Sequence, residues 1–479
     1  MNYASHGSGT VKQTGESIRP HQLGVKLRHS PVPFVTIHYN AKVMLWVIVN
    51  IGVLEDLPLR LMAFRAGLLF VCACSGGGSD SASVPAINQA PTVVVTGVTS
   101  GDEGVTLTLS GSNSRDPDGS IAAFVWEQTA GPTARLVGDL TADVRVQLPL
   151  VNRPTDITLR LTATDDDGAS SSEIVTLSVR PQSKPSNIEI LSDFDGQVRT
   201  YTVYTPETYM PGNPAVMVLH GGGGSMRVIQ EPTRPTQRWF EVADRDGLLL
   251  ILPNGFNEQL QDGLGDDQSW ADIRNDQTGR ISLQDDEGFL MSVLDEVEAA
   301  RAFNREALFV TGSSNGGMMT FRMLINQGRR FAGGASFIGG MPEQFVPLPV
   351  NPTPVMILAG TEDPLILFEG GPVANGGSST RSIPETVDYW IEATMADRTS
   401  VLTTTLPDLT DDGCLIEESV YTTAVGAPAV TYYEMVGGGH SAPDTTPSLR
   451  TPAARLLIGN QCSDAHGIDL ADMFFDSIP

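Results

Sequence analysis

Four continuous apolar runs constrain what this chain can fold into. Residues 215–219, 248–252, 307–311 and 355–359 are each five residues long and almost free of polar side chains. A strand with one wet face alternates apolar with polar, so a run without alternation must be covered on both faces. That is the pattern of a parallel sheet with helices on either side. The segments between the runs fit this. Residues 288–303 form an amphipathic stretch behind the acidic Asp285-Asp286-Glu287, which suits a helix N-terminus, and residues 385–396 follow Pro384 in the same way. The expectation is an α/β domain over residues 188–479.

The chain has 479 residues, more than one ordinary domain needs, and a second rhythm precedes the first. Between residues 91 and 180, short β-rich runs (92–95, 105–109, 122–128, 144–148, 158–164, 174–179) alternate with Asp/Gly turns. This spacing predicts a small antiparallel all-β sandwich. Residues 75–90 are rich in Gly, Ser and Ala and read as a flexible linker, and residues 181–187 read as a second linker.

Residues 1–74 carry seven basic and three acidic side chains against a net charge of −26 for the whole chain, so the remainder stands at −30. Lys184 is the only lysine after residue 74. Such an acidic body argues against nucleic acid or anionic lipid as a partner, because like charges repel. The 41% hydrophobic content is enough for packed cores and too little for a multi-span membrane protein. Val43–Val53 is apolar but too short to cross a bilayer. From Met62, a basic Arg65, an apolar 66–73 and then Cys74 with SGGGS have the shape of an export signal, and VCAC at 71–74 resembles a bacterial lipobox with Cys74 as the lipidated residue. The alternative is a plain secretory signal without lipid. Met62 or Met44 is an alternative start. Cys72 and Cys74 lie in the apolar run, which leaves Cys414 and Cys462 as a possible disulfide in an oxidising compartment.

Chemistry enters at Gly312-Ser-Ser314-Asn-Gly316, a G-x-S-x-G motif. Alone it is weak, but an apolar strand runs into it and a helical stretch, 316–325, leaves it. A strand, sharp turn and helix force the serine into a strained backbone region with its hydroxyl above the sheet, and glycines are needed where side chains would clash. Serine needs a base. After Cys74 the histidines are His220, His440 and His466. His220 precedes a tetraglycine run and suits shaping a loop, and His466 lies in a polar tail. His440, in the loop GGGHS after a strand at 432–436, is the best base. The carboxylate that orients it is expected between serine and histidine in the chain. Asp363 or Glu362 could serve, and Asp363 is preferred because Pro364 fixes the turn after it. For the oxyanion, Asn315 offers a backbone N–H at a helix N-terminus and the 221–224 glycines offer a second, with Gly222 first and Gly221 next.

The ordered set LHGGGG (219–224), SW (269–270), DDEGFL (285–290), TGSSNGGMM (311–319), GTEDPL (360–365), EGG (369–371) and GGGH (437–440) resembles the secreted polyhydroxybutyrate depolymerase and feruloyl esterase family of carbohydrate esterases, of the α/β-hydrolase fold, over about residues 188–462. The resemblance implies a serine esterase without metal or cofactor, with Ser314, Asp363 and His440 as triad. It also implies Trp270, and with it His220, beside the substrate cleft, and Asp286 as a structural helix cap. Ser269 stands where many relatives have cysteine, so a family disulfide there is absent. Residues 112–119, 124–128 and 161–168 likewise resemble a polycystic-kidney-disease (PKD) type Ig-like domain. Such modules act as spacers or polymer binders and some bind calcium. Asp116, Asp118 and Asp165–Asp167 could hold Ca²⁺, although Asx turns explain them as well. The expected function is exported ester hydrolysis, on polyester or on feruloyl or acetyl esters of plant polysaccharide. The rivals are a vestigial polymer-binding protein and a peptidase or acyltransferase.

Overall fold

The computed structural model describes residues 87–274, 276–374, 378–446 and 451–479. The expected N-terminal extension, export signal and Cys74, together with most of the 75–90 linker, lie outside the described residues.

Residues 96–180 form a sandwich of two four-stranded sheets. One orders Thr96–Gly97, Thr106–Ser110, Asp143–Gln147 and Arg135–Val137. The other orders Ser100–Asp102, Ser170–Arg180, Thr155–Asp165 and Ile121–Ala130. Strict alternation along Thr155–Asp165 puts Ile157, Leu159 and Leu161 into the core against Trp126, Val144 and Val146. The run at 92–95 makes only a single bridge, Thr92 with Arg115, and pairing begins at Thr96. The acidic turns are closed by the carboxylates themselves. Asp165 accepts the N–H groups of Asp167 and Ala169 and the amide of Asn88, and Asp166 accepts Ser120 N–H. Among the described residues, no group of three or more His, Cys, Asp or Glu side chains could hold a metal ion.

The second domain is built on one ten-stranded sheet: β1 (Ser186–Phe194), β2 (Gln197–Thr205), β3 (Ala215–Leu219), β4 (Leu249–Pro253), β5 (Leu308–Ser313), β6 (Gly333–Phe337), β7 (Val355–Gly360), β8 (Leu402–Thr405), β9 (Leu415–Thr422) and β10 (Pro428–Val436). The spatial order is β1-β2-β4-β3-β5-β6-β7-β10-β9-β8. The central strands are parallel, and the pairs at both ends are antiparallel. This mostly parallel sheet with β3 between β4 and β5 is the α/β-hydrolase fold. Its strands are buried on both faces, as their lack of alternation requires: Met217, Leu219 and Ile251 join one core, and Val216, Val218 and Leu250 the other. The helices that cover it are α1 (Arg238–Asp246), α2 (Asp286–Arg301), α3 (Asn315–Gln327), α4 (Ile383–Ala393) and α5 (Gly467–Asp476). Ser382 and Glu385 close a capping box on α4.

The two domains meet without a loose tether. The sheet starts at Ser186, so only residues 181–185 connect them. Glu103 of the sandwich is 1% exposed and forms a paired contact with Arg301 of α2, Nη2 to Oε1 at 3.0 Å and Nη1 to Oε2 at 3.0 Å. The same carboxylate accepts the backbone N–H groups of Val151 and Gln182. The expected linker at 181–187 is therefore hydrogen-bonded into the junction.

Candidate active site

Ser314 sits between β5 and α3 with φ 57° and ψ −118°, a region that non-glycine residues avoid. Its neighbours show why the motif needs glycine. A Cβ on Gly312 would lie 2.5 Å from the Gly316 backbone, and one on Gly316 would lie 2.4 Å from His220 O. Met318 N–H donates to Ser314 O, which starts the helix directly beneath the serine.

The structure brings three of the expected side chains into one chain of hydrogen bonds. His440 Nε2 lies 2.9 Å from Ser314 Oγ, and His440 Nδ1 lies 2.7 Å from Asp363 Oδ2. The other Asp363 oxygen accepts the N–H groups of Leu365 and Ile366, which fixes the carboxylate in the turn after β7. Glu362, the alternative carboxylate, is exposed. The histidine loop is tied down as well: Gly439 N–H donates to Asn460 O and His440 N–H to Ile458 O. The Cys414–Cys462 disulfide pins the same region, with Cys462 Sγ packed against Gly438.

The tetraglycine loop separates into two pairs. Gly223 N–H donates to Gln268 O and Gly224 N–H to Gly221 O. The N–H groups of Gly221 and Gly222 have no partner among the described residues, nor does that of Asn315. A Cβ on Gly222 would meet Asn315, which puts the loop against the elbow. Both Gly222 and Gly221 thus remain available as donors.

Two residues expected at the cleft hold its walls from behind. Trp270 is 0% exposed and does not line the cavity; its indole N–H donates to His220 O and its backbone N–H to Asn315 Oδ1. Asn315 Nδ2 returns bonds to Trp270 O and to Asp272, which is itself paired with Arg274 in the interior. His220 borders the cavity, but both ring nitrogens face backbone: Nδ1 lies 2.8 Å from Gly221 O, and Nε2 accepts Gly255 N–H. Burial holds it neutral, its pKa pushed down to about 4. The helix cap is Asp285, not Asp286. Asp286 is fully buried, paired with Arg199 at 2.8 Å and accepting Ala271 N–H.

His466 reverses its expected place. It caps α5 and lines the cavity beside Ser314, 3.6 Å from the buried Asp444. A histidine two residues before an apolar helical run was the available signal for the cap; its long-range approach to the cleft had none. The cavity measures about 450 Å³ and is walled by apolar side chains, among them Val228, Ile229, Ile338, Leu365 and Ile468. It has room for a small acyl or aryl group beside Ser314.

Comparison with known proteins places these features in context. Residues 100–179 match a family model of the PKD domain. The chain is 28% identical over 215 residues to the putative esterase NocK of Nocardia uniformis subsp. tsuyamanensis, covering 42% of this chain and 58% of that protein. It is 25% identical over 195 residues to the probable feruloyl esterase C of Aspergillus niger, covering 39% and 64%. The chain thus spans about three-fifths of the length of these two relatives. Among solved structures, an acetyl xylan esterase from Aspergillus awamori matches with a TM-score of 0.37 at 14% identity, covering 53% of this chain and 93% of that one.

Proposed function

We propose that this protein is an exported serine carboxylic-ester hydrolase that works through an acyl-enzyme. The observation that carries the reading is the Ser314–His440–Asp363 relay on a strained elbow, with the N–H groups of Asn315, Gly221 and Gly222 next to it unpartnered among the described residues. His440 Nε2 takes the Ser314 proton as Oγ forms a bond to the ester carbonyl carbon. Asp363 holds the imidazole tautomer and stabilises the imidazolium. Asn315 N–H and Gly222 or Gly221 N–H receive the oxyanion. The C–O bond to the alcohol breaks as His440 returns the proton to the leaving oxygen. Water, deprotonated by the same histidine, then releases the acid and frees Ser314.

Feruloyl or acetyl esters of plant polysaccharide are the favoured substrates. The printed names of two relatives support this: the probable feruloyl esterase C of Aspergillus niger and a bifunctional acetylxylan esterase/xylanase of Neocallimastix patriciarum, 23% identical over 179 residues. A cavity of about 450 Å³ admits either acyl group. Export, with or without lipid at Cys74, is supported by the signal-like segment at 62–74 and by a disulfide, which persists in oxidising compartments. Ser314→Ala should abolish hydrolysis of p-nitrophenyl acetate and methyl ferulate in a correctly folded protein, and retained turnover overturns the assignment. Hydrolysis of polyhydroxybutyrate film with none of methyl ferulate or acetylated xylan would transfer the substrate to the polyester class.

A further inference from the structure

We propose that His466 is a specificity residue of the cavity beside Ser314: its Nε2–H donates to a neutral acceptor oxygen of the ester seated there. The proposal rests on the ester-hydrolase reading above and deepens it. Two elements set the position of the ring. His466 is the N-cap of α5, and Gly467 N–H donates to Pro443 O at 2.9 Å, which fastens the start of that helix to the loop that carries His440. The cap also fixes the proton. Ile468 N–H donates to His466 Nδ1 at 3.4 Å, so Nδ1 is the acceptor of the neutral ring and Nε2 carries the hydrogen. Burial pushes the pKa of this ring below the usual histidine value, which keeps it neutral.

That N–H has no hydrogen-bond partner among the described residues. Asp444 Oδ1 stands 3.6 Å away, too far for a hydrogen bond, and already accepts the N–H of Thr446 at 2.8 Å and its hydroxyl at 3.1 Å. Nor is the nitrogen sealed. The side chain keeps 12% exposure, and Nε2 is not one of the enclosed polar atoms, whereas the neighbouring Ser441 hydroxyl is. Other polar groups on the cavity walls are spent on backbone. Thr236 Oγ1 donates to Ile229 O, Gln461 Nε2 donates to Ala442 O, and both ring nitrogens of His220 face backbone.

A free donor in a cavity otherwise walled by Ile338, Leu365 and Ile468 discriminates in one direction. Solvent pairs with it while the cavity is open. A seated alkyl group displaces that solvent and leaves the N–H bare, whereas an oxygen at the same place restores the bond. The ring is neutral and the chain carries a net charge of −26, so an anionic group gains little there and is repelled from afar. An ether, hydroxyl or carbonyl oxygen fits. Such an oxygen belongs either to the acyl group or to the alcohol, and the two are separated by experiment.

The test measures kcat/KM of the whole protein on two pairs of esters of matched length. p-Nitrophenyl methoxyacetate against p-nitrophenyl butyrate places the oxygen in the acyl group, and 2-methoxyethyl acetate against butyl acetate places it in the alcohol. His466→Asn keeps an oxygen to cap α5 but withdraws the donor, whereas His466→Gln returns an amide N–H near the Nε2 position and is the poorer cap. In His466→Asn the ether-to-alkyl ratio should fall by about fivefold or more in one pair, which then identifies the side of the ester that is read. In His466→Gln the same ratio should recover at least in part. Each ratio cancels any loss of folded protein. Ratios unchanged in both pairs, or a fall in His466→Gln as deep as in His466→Asn, overturn the proposal. If the unmodified protein hydrolyses none of the four esters, the ester-hydrolase reading falls and the proposal with it.

Discussion

Replacing Glu103 with alanine should destabilise the described body of the protein by about 4 kcal/mol, through a charge left unpaired at the domain junction. In the native state the Arg301 guanidinium is held by both Glu103 oxygens at 3.0 Å, by Val151 O at 3.0 Å and by Thr205 Oγ1 at 3.2 Å, with the residue 6% exposed. Removing the carboxylate leaves two neutral acceptors around a buried cation. Breaking one side of a buried pair costs about 3–5 kcal/mol. Two backbone N–H groups, of Val151 and Gln182, lose their acceptor in addition, although water entering the vacated space recovers part of that. About 4 kcal/mol corresponds to a thousandfold change in the unfolding equilibrium. Urea unfolding followed by tryptophan fluorescence measures it directly, because Trp126 reports on the sandwich and Trp239, Trp270 and Trp390 on the hydrolase domain. The unmodified protein should unfold in one transition seen by all probes, and Glu103→Ala should shift it to lower urea. The double variant Glu103→Met/Arg301→Met should recover most of the loss, because no charge is then buried alone. Two separate transitions in the unmodified protein, or a loss below about 1 kcal/mol, would refute the reasoning.

Asp363→Asn should lower kcat on p-nitrophenyl acetate by about 10³–10⁴ with little change in KM, because it removes imidazolium stabilisation and not substrate contacts. His220 has a folded pKa of about 4 against about 6.5 unfolded, so the unfolded chain binds more protons between those values. Stability contributed by neutral His220 should therefore be present above pH 6.5 and fall by about 3 kcal/mol as pH drops toward 4. His220→Gln should flatten that part of a stability–pH curve, and an unchanged slope refutes the assignment. Cys462→Ser opens a bridge between residues 48 positions apart and should cost about 4 kcal/mol by loop entropy, with a fall in kcat as the His440 loop loosens; kcat unchanged at full folding would separate the bridge from the histidine.

The elbow at Ser314 is legible in the sequence because its requirements are local: an apolar run, two glycines at positions where a Cβ would strike backbone, and a helix beginning at once. His440 is legible by scarcity, with few histidines in the chain to compete. The all-β module is legible from alternation, yet its edges are not. The run at 92–95 has the composition of a strand, but only Thr92 finds a partner there. What stays hidden are contacts made across long separations. Glu103 and Arg301 are 198 residues apart, and no local pattern marks either as buried. Trp270 reads as a cleft residue only through the family resemblance, but it packs behind the loop, where its indole N–H donates to His220 O. His466 reads as part of a polar tail, although the chain returns there at the start of α5 to wall the cavity.

Asn315 joins two tasks at one position. Its backbone N–H is one of the donors proposed for the oxyanion, while its side chain ties the elbow to Trp270 and Asp272. The clamp continues toward the tetraglycine loop, because the Trp270 indole N–H donates to His220 O just before it. Elbow and loop are thus tied to one another through residues that do not line the cavity themselves. Under the proposed ester hydrolysis, a site braced in this way would discriminate by what fits rather than by adjusting to what enters. Trimming the cavity walls at Ile229 or Ile338 would then change which esters enter without touching the clamp, whereas substitutions at Asn315 or Trp270 would disturb the site and the fold together.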